Sequence, residues 1–175
     1  MTSENGGIMS TAIDAKNASI EMEAGTNQYL TFMLADEEYG VDILRVQEIR
    51  GWDSATAIPN APDYVLGVVN LRGVVVPIFD LRKRFNMSTA EFDSATVVVV
   101  VKVKYAKGER TIGMVVDAVS DVYNISPEKI NSAPDVGGSV SMEFIKGLAT
   151  VNNEMIILLD VDELINVGVL EEMHQ

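Results

Sequence analysis

Side chains that commonly support covalent or metal-dependent catalysis are scarce in this sequence. The only histidine is His174, next to the last of 175 residues, and cysteine does not occur. Nucleophilic catalysis by serine or cysteine usually needs a histidine base, and a fraying chain end does not hold one in place. The sequence therefore predicts no hydrolase of this type, no disulfide, and no metal site built on histidine or thiolate ligands.

One acidic cluster requires separate consideration, because Asp160, Asp162 and Glu163 lie close together in sequence. Carboxylate oxygens are the usual protein ligands of Mg²⁺ and Ca²⁺. The cluster lacks the loop glycine and the ligand number of a calcium-binding loop, and Asp162 is well placed as the N-cap of a C-terminal helix. We therefore expect a structural cap at this place and no metal site.

Asp80 follows an apolar strand, as does the phosphate-accepting aspartate of a receiver domain. Receiver domains alternate parallel strands with long helices, and the sequence does not show that alternation. Asp80 also recurs as Asp160 in the internal repeat described below. We therefore expect a structural role for Asp80 at a strand end and no phosphorylation.

The composition limits the classes of partner. The formal charge is −13, from 26 acidic and 13 basic residues. Such a surface repels the phosphates of nucleic acids and anionic membranes. No apolar run reaches the roughly 18 residues that span a bilayer, and the first ten residues do not resemble a secretory signal. We expect a cytoplasmic protein without a cofactor, without membrane insertion and without a nucleic-acid partner.

Short β-strands dominate the pattern from Tyr29 onward. A strand at Tyr29–Leu34, a polar turn at Asp36–Glu38 and a second strand over Tyr39–Ile49 form a predicted hairpin. The β-branched run Val97–Val101 is typical of a strand packed on both faces, and Pro77 indicates a sheet edge or a bulge. Helical pattern is confined to four short places: Ala61–Val65, Leu81–Phe85, Pro127–Ile130 and Asp162–Glu172.

An internal repeat is the most informative feature. The segment Tyr64–Asp80 aligns without gaps on Phe144–Asp160, 80 residues further on, and Gly67 then matches Gly147. A second match, 73 residues apart, places Gly40–Ile49 on Gly113–Val122. The chain therefore contains two copies of one small β unit, at about residues 29–85 and 96–165, which we expect to form two interleaved barrel lobes that share a core.

The repeat also predicts a place for a ligand, because a groove between two related lobes is a natural binding site. Val46 and Val119 align with each other in the second match, so they should occupy equivalent places and face that groove. The other interpretation is that both are ordinary core valines.

Arg72 has the clearest capacity for specific recognition. It lies in Asn70-Leu71-Arg72-Gly73, between two apolar strands, and the second copy has Asn152 at its place. The repeated unit therefore folds without an arginine here. Its five N–H donors suit a carboxylate on a partner, while the other interpretation is a solvated arginine in a turn.

Three segments together resemble the CheW family of chemotaxis coupling proteins. These segments are Asp36–Gly51, Val65–Phe85 and Ile112–Val122, in the family's order and spacing. The resemblance extends from about Tyr29 to about Asn166. It implies an all-β fold of two five-stranded SH3-like barrels sharing a core, with few short helices, over residues 28–170. Residues 1–27 and 171–175 are then flexible tails.

The resemblance also implies a non-enzymatic adaptor with two partners. One is the hairpin tip of a methyl-accepting chemoreceptor, bound in the groove between the barrels, and the other is the regulatory domain of the histidine kinase CheA. Contacts with other CheW-like modules would extend such complexes into membrane-associated arrays. The implied receptor-binding residues are Val46, Glu48, Ile49, Gly67, Asn70, Arg72, Gly73 and Val119. The weaker candidates for the kinase surface are Asn131, Asp135 and Val136.

Two rival functions remain open at this point. An enzyme that uses carboxylates would need a pocket with paired acids. A generic SH3-like peptide-binding module would need an exposed aromatic groove, and with aromatic residues at 6% and Trp52 as the only tryptophan, that platform is poor.

Overall fold

The computed structural model describes residues 27–87, 91–132 and 142–164, and their fold is mostly β. Ten strands form two five-stranded sheets, as the sequence predicts. The strands are β1 (Asn27–Leu34), β2 (Glu37–Asp42), β3 (Val46–Gly51), β4 (Val65–Leu71), β5 (Val74–Asp80), β6 (Val97–Tyr105), β7 (Gly108–Val116), β8 (Ala118–Ile125), β9 (Ile145–Val151) and β10 (Glu154–Leu159).

Helical structure is limited to single turns in the described residues. Two are α-helical, α1 (Leu81–Arg84) and α2 (Val161–Leu164), and three are 3₁₀ turns at Ile43–Arg45, Pro127–Lys129 and Met142–Phe144. The predictions near Leu81 and Pro127 are confirmed. At Ala61–Val65 the structure has a single hydrogen-bonded turn, in which the Val65 N–H donates to the Pro62 carbonyl oxygen at 2.9 Å, and β4 begins at Val65. Residues 165–172 of the predicted C-terminal helix lie outside the described residues.

The two sequence copies exchange strands. Copy 1 comprises β1 to β5 and copy 2 comprises β6 to β10. Lobe A is the sheet with strand order β8-β1-β2-β10-β9, and lobe B is the sheet with order β3-β6-β7-β5-β4. Each lobe therefore contains the first two strands of one copy and the last three of the other.

The registers repeat as faithfully as the sequence does. Val65 lies opposite Phe79 in the β4–β5 hairpin, and Ile145 lies opposite Leu159 in the β9–β10 hairpin. Both hairpins have an irregularity just after this pair, and both are closed by two residues with positive φ. Two-residue turns of this kind match the twist of a hairpin. The repeated sequence thus encodes the same local geometry twice.

The two lobes are built around three apolar clusters. The largest, which we call the shared core, draws buried side chains from both lobes, such as Phe32 of β1 and Met114 of β7. Smaller clusters fill each barrel, around Ile156 and Leu158 in lobe A and around Val76 and Ile78 in lobe B. Because one core serves both lobes, neither lobe is complete alone.

Each barrel is closed by the segment that follows the third strand of a copy, which is β3 in lobe B and β8 in lobe A. Thr56 exchanges two backbone hydrogen bonds with Val68 of β4, and Asn131 exchanges two with Leu148 of β9. The approach is close, since a Cβ on Gly67 would lie 2.2 Å from the Thr56 carbonyl oxygen. Gly67 is therefore required by the closure of lobe B.

Some local predictions are wrong. The predicted strand Tyr39–Ile49 is interrupted by the 3₁₀ turn Ile43–Arg45, where the chain leaves lobe A for lobe B. The turn before it lies at Ala35-Asp36, not at Asp36–Glu38. The interruption could not be read from the periodicity, because both halves of the segment mix apolar and polar residues as strands do.

Pro77 and the C-terminal cap also differ from prediction. Pro77 lies in β5, an interior strand, and the bulge is on its neighbour β4 between Val65 and Gly67. Parallel pairing with β7 begins only at Ile78, so the missing N–H of Pro77 leaves no ladder bond unmade. At α2 the capping carboxylate belongs to Asp160, which accepts from the N–H groups of Asp162 and Glu163.

Candidate partner-binding surfaces

Val46 and Val119 occupy equivalent places, as the repeat predicts. Val46 begins the β3–β6 pairing opposite Val101, and Val119 lies opposite Phe32 in the β8–β1 pairing, with a matching irregularity in each ladder. Both side chains, like that of Ile49, are half-buried and pack against the shared core. They are thus partly core residues and partly available to an apolar ligand.

Arg72 already has a carboxylate partner inside the molecule. Its Nη2 lies 2.6 Å from Oε2 of Glu48, and its side chain is 75% exposed. Both residues were predicted to bind the receptor, but their mutual contact was not predicted. The pair connects the β4–β5 turn to β3, and β3 and β4 are the two edge strands of lobe B. The contact therefore orients the guanidinium group at the surface of the lobe. A surface pair of this kind stabilises the fold by at most about 1 kcal/mol.

The residues around Arg72 shape its turn. Arg72 has φ 53° and Gly73 has φ 87°, and Oδ1 of Asn70 accepts a hydrogen bond from the Gly73 N–H at 2.8 Å. A Cβ on Gly73 would meet no atom within 4 Å. Asn70 and Gly73 therefore hold the turn in the conformation that presents Arg72. Gly67, in contrast, is buried beneath Thr56 and is not available for contact.

Electrostatics fix the connection that leads into Val46. Arg45 donates from Nη1 and Nη2 to the two carboxylate oxygens of Asp162, both at 2.8 Å. Burial alone would raise the pKa of Asp162, but the hydrogen bonds from Arg45 and from the Lys104 N–H hold it below its usual value. The carboxylate is thus kept ionised and in place, which makes it a structural group.

A second apolar surface was missed by the sequence reasoning. Val74 and Val75, at the start of β5, are each 54% exposed. Beside them lies an open depression of about 320 Å³ lined by Ser54, Ala55, Thr56, Val68, Val69, Asn70 and Val75. We call these residues together with Val74 the Val75 surface. A run of valines predicts buried core positions. The only sign in the sequence that Val75 is exposed is its place near a hairpin turn.

The residues predicted for the kinase surface are only partly described. Asn131 is exposed, and its backbone closes lobe A against Leu148. Asp135 and Val136 lie outside the described residues. No structural observation brings Asn131 together with the Val75 surface.

In residues 27–87, 91–132 and 142–164, no group of three or more histidine, cysteine, aspartate or glutamate side chains is arranged to hold a metal ion. Over the same ranges no helix is long and apolar enough to cross a membrane.

Comparisons with known proteins agree with the fold. A family model described as CheW-like domain matches residues 28–168. The chemotaxis protein CheW of Klebsiella aerogenes is 45% identical over 139 residues, which cover 79% of this chain and 81% of that protein. The chemotaxis protein CheW of Rhizobium meliloti is 40% identical over 146 residues, covering 83% of this chain and 92% of that protein.

A solved structure gives the same result in three dimensions. The scaffolding protein TtCheW from Thermoanaerobacter tengcongensis superposes with a TM-score of 0.73 at 31% identity, covering 84% of this chain and 92% of that one. With two five-stranded sheets, a shared core and a family match over most of its length, the chain belongs to the CheW-like family of chemotaxis adaptor and scaffolding proteins.

Proposed function

We propose that this protein is a non-enzymatic adaptor that couples methyl-accepting chemoreceptors to the regulatory domain of the histidine kinase CheA. The observation that carries the proposal is a pair of partly exposed surfaces on one fold, which share Asn70. One contains the half-buried side chains of Val46 and Ile49 on the strand that also carries Glu48, the partner of Arg72, and the other is the Val75 surface. An adaptor needs two such surfaces, whereas a single peptide-binding module needs only one.

The receptor tip is assigned to the surface around Val46, Ile49 and Val119. Their half-exposed side chains offer apolar contact to a helical hairpin, and Arg72 offers donors to a carboxylate at its tip. Only Nη2 of Arg72 contacts Glu48, so further guanidinium N–H groups stay available to an acidic side chain. Glu48, Asn70 and Gly73 then act by orienting Arg72, and Gly67 by closing the barrel below it.

The kinase regulatory domain is assigned to the Val75 surface, with Asn131 and the neighbouring residues 135 and 136 as the weaker alternative. The reason is that Val74 and Val75 are large apolar side chains left exposed beside a depression. Such patches are typical of protein interfaces. Through both contacts, a cytoplasmic protein would be recruited to membrane-associated receptor arrays, where other CheW-like modules would also meet it.

The test is a double dissociation measured by isothermal titration. Arg72→Glu places a second carboxylate opposite Glu48 and is expected to weaken binding of a receptor hairpin fragment at least tenfold, while leaving binding of the kinase regulatory domain unchanged. Val75→Asp is expected to do the reverse. Controls are Arg50→Glu, an equal charge change on exposed β3, and Met155→Asp, the repeat counterpart of Val75.

Each result has a defined meaning. If both variants weaken the same partner, the two-surface assignment is wrong. If the folded wild-type protein binds neither partner, the adaptor proposal fails, and a generic SH3-like protein-binding module becomes the better interpretation.

A further inference from the structure

Two ion pairs lie at closely similar places in the two sequence copies, although the repeat aligns Arg45 with Ala118 and Asp117 with Leu44. The first joins Arg45 to Asp162, and in the second Arg82 Nη1 lies 3.3 Å from Asp117 Oδ1. Residues 82 and 162 are each the second residue of the helical turn that follows the last strand of a copy. Arg45 and Asp117 both lie in the connection by which a copy passes from one lobe to the other.

The polarity of the second pair is reversed. Arg45 and Arg82 belong to copy 1, whereas Asp117 and Asp162 belong to copy 2. If both copies carried the same charges at these places, each copy would have one cation and one anion there. Instead copy 1 supplies both cations and copy 2 supplies both anions, so each pair joins unlike copies.

This arrangement has a consequence because the lobes are built by exchange of strands. The copies share a fold, so two chains could in principle join like with like and form an exchanged dimer. A lobe formed from copy 1 of one chain and copy 1 of another would bring Arg45 of one chain against Arg82 of the other. A lobe formed in the same way from copy 2 of each chain would bring Asp117 against Asp162. Like charges at partly buried sites are disfavoured.

The repulsion is not equal in the two cases. Arg82 also pairs with the buried carboxylate of Asp80 at 3.2 Å, which offsets part of its charge. At the corresponding place in copy 2, Asp160 adds a second acid beside Asp162. The lobe formed from copy 2 of each chain therefore carries the greater penalty.

We propose that Arg45, Arg82, Asp117 and Asp162 form a charge code that restricts strand exchange to unlike copies, and thereby disfavours dimers in which like copies join. Specificity of this kind depends on the repulsion in the wrong arrangement as well as on the attraction in the right one.

The deciding experiment inverts one pair in the full-length chain, with Arg45→Asp and Asp162→Arg together. The monomer keeps opposite charges at these two positions, but each copy now carries one charge of either sign, so like copies also match. The control is Arg45→Ala with Asp162→Ala, which removes the pair without creating that match.

The readout is the dimer fraction after refolding from urea at high protein concentration, measured by size exclusion with light scattering. We expect a dimer fraction several-fold higher for the inverted chain than for the alanine control. A monomeric inverted chain, or an alanine control with as much dimer, would overturn the proposal.

A second measurement covers the case in which the inverted chain does not regain a native circular dichroism spectrum. The wild-type protein is then refolded over a series from low salt to about 1 M NaCl, where the screening length falls to about 3 Å. A dimer fraction that rises with salt supports the charge code, and a constant fraction contradicts it.

Discussion

Arg72 shows, at the scale of single residues, how the tertiary structure changes the meaning of a side chain. In the sequence it is a turn arginine whose second-copy counterpart is Asn152, and its carboxylate partner was expected on another protein. In the structure Glu48 already contacts it at 2.6 Å. Arg72 and its counterpart Asn152 share a left-handed backbone conformation, with φ 53° at both positions. The hairpin turn itself is therefore the conserved element of the repeat.

Gly67 gives the sharpest prediction at this scale. Gly67→Ala places a methyl group 2.2 Å from a backbone oxygen of Thr56, at a φ of +143°. We expect the free energy of unfolding to fall by about 2–4 kcal/mol. Gly73→Ala is the control, because its φ is also positive but no atom lies within 4 Å, and it should cost about 1 kcal/mol. Urea unfolding measures both; equal losses would show that the barrel closure yields to the methyl group.

Asp162 predicts an acid-dependent stability. Its pKa is lowered in the folded protein, so its ionised form stabilises the fold above the unfolded-state pKa of about 3.9, and this contribution is lost as the pH falls further. Asp162→Asn should therefore cost about 1 kcal/mol at pH 7, and the difference from wild type should shrink as the pH falls below about 4. Asp63→Asn, at an exposed position, is the control. A difference that stays constant with pH would exclude the ion pair as its source.

At the scale of secondary-structure elements, the turns α1 and α2 anchor the strand ends through different amounts of burial. Arg82 in α1 is 4% exposed and sits against Asp80, which is 1% exposed, whereas the Arg45–Asp162 side chains are 26% and 25% exposed. Arg82 also lies over the Phe92 ring, 5.0 Å from its centroid. The first pair depends on the protein for its solvation, and the second retains contact with water.

The difference in burial leads to a ranked prediction. Arg82→Ala leaves the Asp80 carboxylate buried and is expected to lower the free energy of unfolding by about 3–5 kcal/mol. Arg45→Ala should lower it by only about 1 kcal/mol. Chemical denaturation of the two variants measures the ranking. Similar losses would mean that water reaches the Asp80 carboxylate when Arg82 is removed.

At the scale of the whole molecule, the exchanged strands and the shared core predict that both lobes unfold together. Leu158→Ala, in the barrel of lobe A, is expected to cost about 2–5 kcal/mol. Trp52, the only tryptophan, packs against the inner cluster of lobe B. The denaturation midpoint from Trp52 fluorescence should therefore fall by the same amount as that from circular dichroism.

The control for this experiment is Leu44→Ala, because Leu44 is 68% exposed and its loss should leave both midpoints unchanged. If Trp52 kept its wild-type midpoint in Leu158→Ala while the circular dichroism transition split in two, the lobes would be independent folding units and the shared core would be secondary.

Much of the architecture is contained in local sequence pattern. Alternating and β-branched runs predict strands. The segment that recurs 80 residues further on predicts two equivalent hairpins. In the structure the two hairpins have the same register, with Val65 opposite Phe79 and Ile145 opposite Leu159. The absence of cysteine and the single histidine also predict that the common nucleophile–base pairs are not built.

What the tertiary structure alone decided concerns contacts between distant segments. The partner of Arg72 and the exposure of Val75 both depend on which strands become neighbours. The sequence predicts two interleaved lobes, but its periodicity and its repeat do not say which strands of each copy are exchanged. The physical reason is that strand propensity is a property of a few adjacent residues, whereas strand pairing is determined by the free energy of segments brought together from far apart along the chain.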